Sequence, residues 1–429
     1  MERNLFSLGR SGYGVQVMRL TFLFLLIAFS FSAKANTLIV DQKKSLKSIQ
    51  SAITQASPGD TIRVMPGVYR EGNYIVRKSI VLIGVDYPVL DGENKYEIFT
   101  VVANDVSIIG FRLINTGTAS INDISAVNAI ETKRLRVLNN QLENTFFGIH
   151  LANSKGSLIE NNVLHSNAQA EHQIGNGIHA WKCDSITIRH NEISGHRDGI
   201  YFEFVTHSRV EKNLSHQNMR YGLHFMFSHH DEYLYNTFHD NGAGVAVMYT
   251  QDVKMIGNHF EDNWGSSSYG LLLKDIRDSH IEGNQFSRNT VGVYMEGSSR
   301  CSFQKNVFND NGWAVKIQAN CDDNIFQKNS FLSNTFDMAT NGSLVLNTVD
   351  YNYWDNYQGY DLDRNGVGDV PFHPVSLYSM VVEKMPSSIM LWRSFLVYLL
   401  DRSEKVVPSI TPESLKDNHP AMKNYDYHL

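Results

Sequence analysis

The chain has 429 residues, with 38 Lys and Arg against 44 Asp and Glu, and only 19% of its side chains are charged. A net charge of −6, with no basic run and no Gly-rich phosphate loop, argues against nucleic acid as a partner. Three cysteines (Cys183, Cys301 and Cys321) and no CxxC pair argue against a disulfide framework.

Residues 1–35 read as a signal peptide. Met18-Arg19 precedes the apolar run Leu20 to Phe31, and Ala33-Lys34-Ala35 is a small-x-small cleavage signal. The run is too short to span a bilayer comfortably, and Met18 is a candidate translation start. The segment predicts general secretion, with cleavage after Ala35. Residues 36–60 form an N-terminal cap. "LKSIQSAITQASPGDT" predicts a short amphipathic helix with Ile49, Ala52, Ile53 and Ala56 on one face, stopped at Pro58-Gly59.

From Thr61 to Trp354 the chain repeats itself. Asparagine-led segments start at Asn140, Asn162, Asn191, Asn213, Asn236, Asn258, Asn284, Asn306 and Asn329, at steps of 22, 29, 22, 23, 22, 26, 22 and 23. Insertions around "AQAEHQI" and "WGSSSY" stretch two of the steps. A period near 22 accommodates three short strands and their turns, which predicts an all-β fold: a right-handed parallel β-helix of about 10–12 coils. Asparagines stacked at this period can bond to those above and below.

A second signature recurs in these coils: GIHL, GIHA, GIYF, GLHF, GVAV, GLLL and GVYM. With period-two alternation, the residues one and three after Gly point inward. The outward positions then form two columns. One is His150, His179, Tyr201, His224, Ala246, Leu272 and Tyr294; the other is Ala152, Trp181, Glu203, Met226, Met248, Lys274 and Glu296. On this facing His224, Met226 and Met248 approach one point, as do His150 and His179. Imidazole with thioether is a donor set that suits copper, especially the reduced ion. Of the 17 histidines, 14 lie between His150 and His280, so the enrichment has a local cause. A lone exterior histidine or methionine is ordinarily a solvated or gap-filling residue, and the argument rests on the cluster. His229 and His230, just past the strand, are either further copper ligands or turn residues.

Residues 355–378 are an Asp-rich segment, "YQGYDLDRNGVGDVPF". Asp361, Asp363, Asn365 and Asp369, with Gly366 at the bend, match the first half of a calcium loop, but Phe372 stands where its bidentate Glu belongs. A calcium site and an ion-free Asx-rich turn are both open. Residues 379–408 predict an apolar helix, "SSIMLWRSFLVYLLDR", too short and too interrupted by Arg393 to cross a bilayer. It either plugs the lower end of the coil or docks on a partner through residues such as Trp392, Phe395, Leu396 and Leu399. Residues 409–429 read as a polar, mobile tail.

Taken together, "RYGLHFMFSHHDEYLYN", "GVAVMYTQDVKMIGN", "YNYWDNYQGYDLDRNGVGDVPF" and "SSIMLWRSFLVYLLDR", in that order, resemble the NosD family over residues 36–408. The resemblance implies a periplasmic β-helix subunit, not an enzyme. That subunit would be held at the inner membrane by an ABC transporter's membrane subunit and its ATPase. It would help assemble the copper–sulfide centre of nitrous oxide reductase, with a copper lipoprotein as donor. On that view copper passes His224, Met226 and Met248, and the apolar helix touches the membrane subunit.

The same fold also carries uronic-acid epimerases and lyases. Ser228-His229-His230-Asp231 lacks the first acid and the proline of the epimerase segment Asp-Pro-His-Asp, while Glu203, Lys274 and Glu296 offer a weak lyase set. A purely structural rod is disfavoured by the localised histidines and the apolar helix.

Overall fold

The asparagine repeat becomes a ladder inside a parallel β-helix. A computed structural model describes residues 35–118, 123–167, 170–342, 346–406, 415–425 and 427. The predicted signal segment lies almost entirely outside them. Each coil contributes one short strand to each of three parallel sheets. Among the described residues, sheet A has fourteen strands from Thr37–Val40 to Thr348–Asp350, and sheet B has thirteen from Val68–Tyr69 to Tyr353–Trp354. Sheet C has twelve, from Tyr74–Val76 to Phe336–Thr340. Thirteen coils result, where the sequence predicts ten to twelve. The earliest coils form the same strands without the lead asparagine, and Thr37–Val40, within the predicted cap, already pairs with Thr61–Val64.

Buried amides hold successive coils in register. Asn213 is typical. Its backbone N–H donates to Asn236 Oδ1 at 3.0 Å, and its Nδ2 donates to Ile188 O at 2.9 Å and to Asn236 Oδ1 at 3.0 Å. A buried amide without partners is costly, so each rung requires the next. A second ladder of the same kind runs from Asn218 through Asn241, Asn263, Asn289 and Asn311 to Asn334. Beside it Phe260, Phe286, Phe308, Phe331 and Trp354 stack at 4.7, 4.9, 4.8 and 4.1 Å between ring centroids.

The upper end is covered by helix α1, Ile49–Gln55, which buries Ile49, Ala52 and Ile53 as predicted. Ser48 caps it by accepting from Ser51 N, and the Glu71 carboxylate takes the N–H groups of Ile49 and Gln50.

The lower end is closed by residues from the predicted mobile tail. Leu415 is fully buried, and Asp417 and Ala421 bridge to the last coil. The apolar segment is not one helix. It breaks into α2, Leu377–Lys384, a 3₁₀ stretch Pro386–Leu391, and α3, Phe395–Val406. Pro386 cannot continue α2, and Arg393 takes a left-handed backbone at φ 62°. These helices do not plug the coil. Tyr378, Val382 and Val397 pack on Phe336, with Trp313 and Leu400 alongside, as a cluster separate from the interior core.

Candidate metal-handling face on sheet C

The site is built on the Gly signature. At Gly199 an added Cβ would lie 2.6 Å from Gly222 O and 2.1 Å from Ser215 Oγ, and at Gly244 it would lie 2.4 Å from Gly270 O. At these positions glycine lets the backbone of adjacent coils approach closely where the chain turns into sheet C, while Ala126 and Ala314 take the same column in other coils. After each glycine the strand alternates as predicted. Ile149, Leu151, Ile200, Phe202, Leu223, Phe225, Val245 and Val247 are all buried in the interior. The strand pairing aligns His150, His179, Tyr201, His224 and Ala246 in one outward column, and Trp181, Glu203, Met226, Met248 and Lys274 in the next.

His150 and His179 lie together at the upper end, ring centroids 4.9 Å apart. Phe147 lies against both rings, at 6.1 and 5.6 Å. Burial, with help from neighbouring His150 and Arg197, holds the His179 imidazole near pKa 3, so it is neutral. Burial also lowers that of His150.

His224 departs from the expectation of an open flank. It points away from the interior, yet it is only 6% exposed. The rings of Tyr201 and Tyr221 lie at 5.0 and 4.8 Å, and its Nδ1 sits 3.7 Å from Asp198 Oδ2. Neither ring nitrogen has a hydrogen-bond partner, and neither does Asp198 Oδ2. The enclosing residues come from the column just before the glycines, where Asp198 pairs with Tyr221.

Met226 and Met248 are directly paired neighbours on adjacent strands, both half-buried. Tyr201 Oη donates to Met226 Sδ at 3.6 Å. The same face thus carries two adjacent thioethers with a phenol beside them. Below, Lys274 and Glu296 are ion-paired at 3.4 Å.

The remaining candidates lie elsewhere. His229 Nδ1 accepts from Gln251 N at 3.2 Å, and His230 Nδ1 meets Asp252 Oδ2 at 2.7 Å, both at the turn between sheets C and A. Asp231 is 1% exposed, and its Oδ1 accepts from Ser208 N at 2.7 Å; burial raises its carboxyl to about 8. In the Asp-rich loop the side chains close on the backbone. Asp361 accepts from Asn365 N and Gly366 N, Asp369 from Leu362 N, and Asp363 from the Asn365 amide. On the C-terminal helices Phe395, Leu396 and Leu399 are 73%, 51% and 44% exposed, while Trp392 is half-turned inward, its ring 5.2 Å from that of Phe336.

Sequence reasoning misses Asp198 and Tyr221, because the repeat template starts at glycine and skips the outward residue before it. It also misses Asp123 and Asn128. Their coil carries Ala126 in place of glycine, although pairing sets Asn128 directly above His150.

A family model described as periplasmic copper-binding protein (NosD) matches residues 168–359. The chain is 25% identical over 419 residues to a protein of Stutzerimonas stutzeri named as a probable ABC transporter binding protein NosD, with 93% of each chain covered. It is also 25% identical to the protein of the same name from Pseudomonas aeruginosa, covering 82% of this chain and 86% of that one. In fold it is similar to the A-module of the mannuronan C-5 epimerase AlgE6 of Azotobacter vinelandii, with a TM-score of 0.57 at 14% identity, over 76% of this chain and all of that one. The Streptococcus pneumoniae surface adhesin PfbA gives a TM-score of 0.53 at 12% identity, over 70% of this chain and 93% of that one. These two, an enzyme and an adhesin, share only the β-helix with this chain. The family model and relatives that run nearly end to end agree on what this chain is similar to: the NosD proteins.

Proposed function

We propose that this protein is the periplasmic binding subunit of an ABC transporter, held at the inner membrane by the membrane subunit and its ATPase. In this reading it takes copper from a lipoprotein donor and hands it on for assembly of the copper–sulfide centre of nitrous oxide reductase. The observation that carries the copper step is the pairing of Met226 with Met248 on the outer face of sheet C, with Tyr201 and the enclosed His224 beside them. Thioethers bind the cuprous ion while leaving zinc, magnesium and calcium largely unbound. His224 can join only if it turns away from Asp198. His229 and His230 serve the turn, and the Asp-rich loop serves as a lid on the last coil without calcium.

The carbohydrate-active reading has less support. Asp231 is sealed inside the coil, and Lys274 and Glu296 neutralise one another, which leaves Glu203 alone of the weak lyase set on that face.

Anaerobic titration with Cu⁺ against a chromophoric chelator tests the copper step. One tight equivalent is expected, weakened at least about tenfold in the Met226→Ala, Met248→Ala double variant. Unchanged binding in that variant ends the assignment. Turnover of uronic-acid polymers would revive the enzyme reading.

A further inference from the structure

The upper end of the same face holds a different donor set. Among the described residues, Asp123, His150 and His179 form the one group of three His, Cys, Asp or Glu side chains whose ligand atoms all lie within 4.8 Å of one another. His150 Nε2 is 4.0 Å from Asp123 Oδ2. Ligand atoms around a tetrahedral ion with bonds of about 2.0–2.2 Å stand roughly 3.4 Å apart, so closure by about 1 Å suffices. Side-chain rotation of the half-exposed Asp123 supplies that movement without disturbing a strand.

Two further observations point to a ligand here. Both ring nitrogens of His179 are buried and have no hydrogen-bond partner. A buried imidazole N–H or lone pair left unmatched costs about 1–3 kcal/mol, which a bound ion offsets at one nitrogen. His150, in contrast, is oriented from behind. Asn128 Nδ2 donates to Glu97 Oε2 at 3.0 Å, which turns Asn128 Oδ1 toward His150 Nδ1 at 3.2 Å. His150 Nδ1 therefore carries the proton, and the Nε2 lone pair faces Asp123. This carboxylate–amide–imidazole chain is the kind of outer support that fixes a metal-binding histidine. The neutral state of His179 at ordinary pH is consistent with ligation.

The donor set is two nitrogens and one carboxylate oxygen. No sulfur joins it: Cys183 is buried, its Sγ directed at the main-chain oxygens of Leu151 and Trp181, and Met226 lies beyond the Tyr201 coil. Such a set favours a divalent ion of the zinc and cupric type over the cuprous ion.

We propose that Asp123, His150 and His179 form a binding site for one divalent transition-metal ion, Zn²⁺ or Cu²⁺, with its fourth position open to solvent or to a partner's ligand. The site extends the metal-handling reading of this face, but its donors are separate from Met226 and Met248, so either assignment can fail alone. The face then offers two stations of opposite preference, a divalent one at the top and a cuprous one below.

The test uses the purified protein, titrated with Zn²⁺ by calorimetry and with Cu²⁺ followed by electron paramagnetic resonance. Asp123→Asn leaves the fold intact because Asp123 lies in an exposed loop, and His179→Gln probes the buried ligand. One divalent equivalent is expected, with a Cu²⁺ spectrum showing coupling to two nitrogens. Affinity should fall at least about tenfold in Asp123→Asn, with the Cu⁺ equivalent unchanged. The Met226→Ala, Met248→Ala variant should keep the divalent equivalent. Zn²⁺ and Cu²⁺ affinities in Asp123→Asn equal to those of the unaltered protein would overturn the proposal. So would loss of the divalent equivalent in the methionine variant. A zinc isotherm without a two-nitrogen Cu²⁺ signal assigns the site to Zn²⁺; the reverse assigns it to Cu²⁺.

Discussion

Asp417 ends the asparagine ladder by standing where the next asparagine would be: its Oδ2 accepts the backbone N–H of Asn352 at 2.9 Å. The same carboxylate takes Trp354 Nε1 at 2.9 Å and, through Oδ1, Tyr351 N at 3.1 Å. A ladder of buried amides must finish on an acceptor or leave its last donors unmatched. Asp417→Ala strands three of them inside the lower end and should cost on the order of 3 kcal/mol. Asp417→Asn can turn its single oxygen to Asn352 N and Trp354 Nε1 but sets its amide N–H groups against Tyr351 N, and should cost about 1–2 kcal/mol, less than the alanine variant. Urea melts of the two variants check the order; equal losses would mean that the tail does not cap the coil.

This cap shows the limit of reading the chain from its repeats. Asn352 and Asp417 are 65 residues apart, and nothing periodic connects them. The coils themselves are legible, because a rung such as Asn213 works only with another amide one period on. The facing of sheet C is legible for a related reason, since Ile200 and Phe202 must be buried while Tyr201 is not. The closure of His224 is less so. It depends on Asp198 and Tyr221, whose outward direction comes from the tight turn at Gly199 and Gly222 and not from simple alternation. Asp123 reaches His150 through a loop, and a repeat carries no information about loop paths.

The glycine contacts give a sharp test of that turn. Gly244→Ala places a methyl 2.4 Å from the Gly270 carbonyl oxygen, a backbone atom that cannot rotate away. Moving two coils apart should cost about 1–3 kcal/mol. Because Met248 lies four residues on in the same strand, Cu⁺ affinity should fall with it. Gly265→Ala, whose nearest neighbour is 3.4 Å away, should leave both unchanged. Thermal melts and the cuprous titration, run side by side, decide the point. An unperturbed Gly244→Ala protein would mean that the coils tolerate more separation than their packing indicates.

Stability should depend on pH through Asp337. It is 7% exposed in the last strand of sheet C, and burial, aided by nearby Asp355, raises its carboxyl from 3.8 to about 7. Below about pH 4 folded and unfolded chains both hold this proton, and the contribution is fully present. As pH rises from 4 to 7 the unfolded chain releases the proton first, and the folded state loses up to a few kcal/mol. Asp337→Asn should therefore melt higher than the unaltered protein at pH 8 and similarly at pH 4. Part of the slope should persist, because buried Asp231 is raised to about 8 in the same way and should respond to Asp231→Asn. Melting temperatures across pH 4–9 measure both. A slope identical in all variants would place the pH dependence elsewhere.

The C-terminal helices divide into a packed side and a free side, and the two should separate in experiment. Val397 is 5% exposed in the cluster with Phe336 and Tyr378, whereas Met390 and Phe395 are 87% and 73% exposed. Contiguous exposed apolar surface is characteristic of interaction sites in general. Val397→Asp should unseat α3 and lower the melting temperature by several degrees, since a buried unpaired carboxylate has no compensating partner there. Met390→Ser with Phe395→Ser should leave the unfolding free energy within about 1 kcal/mol of the unaltered protein. Under the proposed function, the same pair should abolish co-purification with a transporter membrane subunit in detergent, because Met390 and Phe395 are the most exposed apolar side chains of this region. Retained co-purification would move the docking surface away from these helices. Lost stability would instead show that the exposed side is packed in solution.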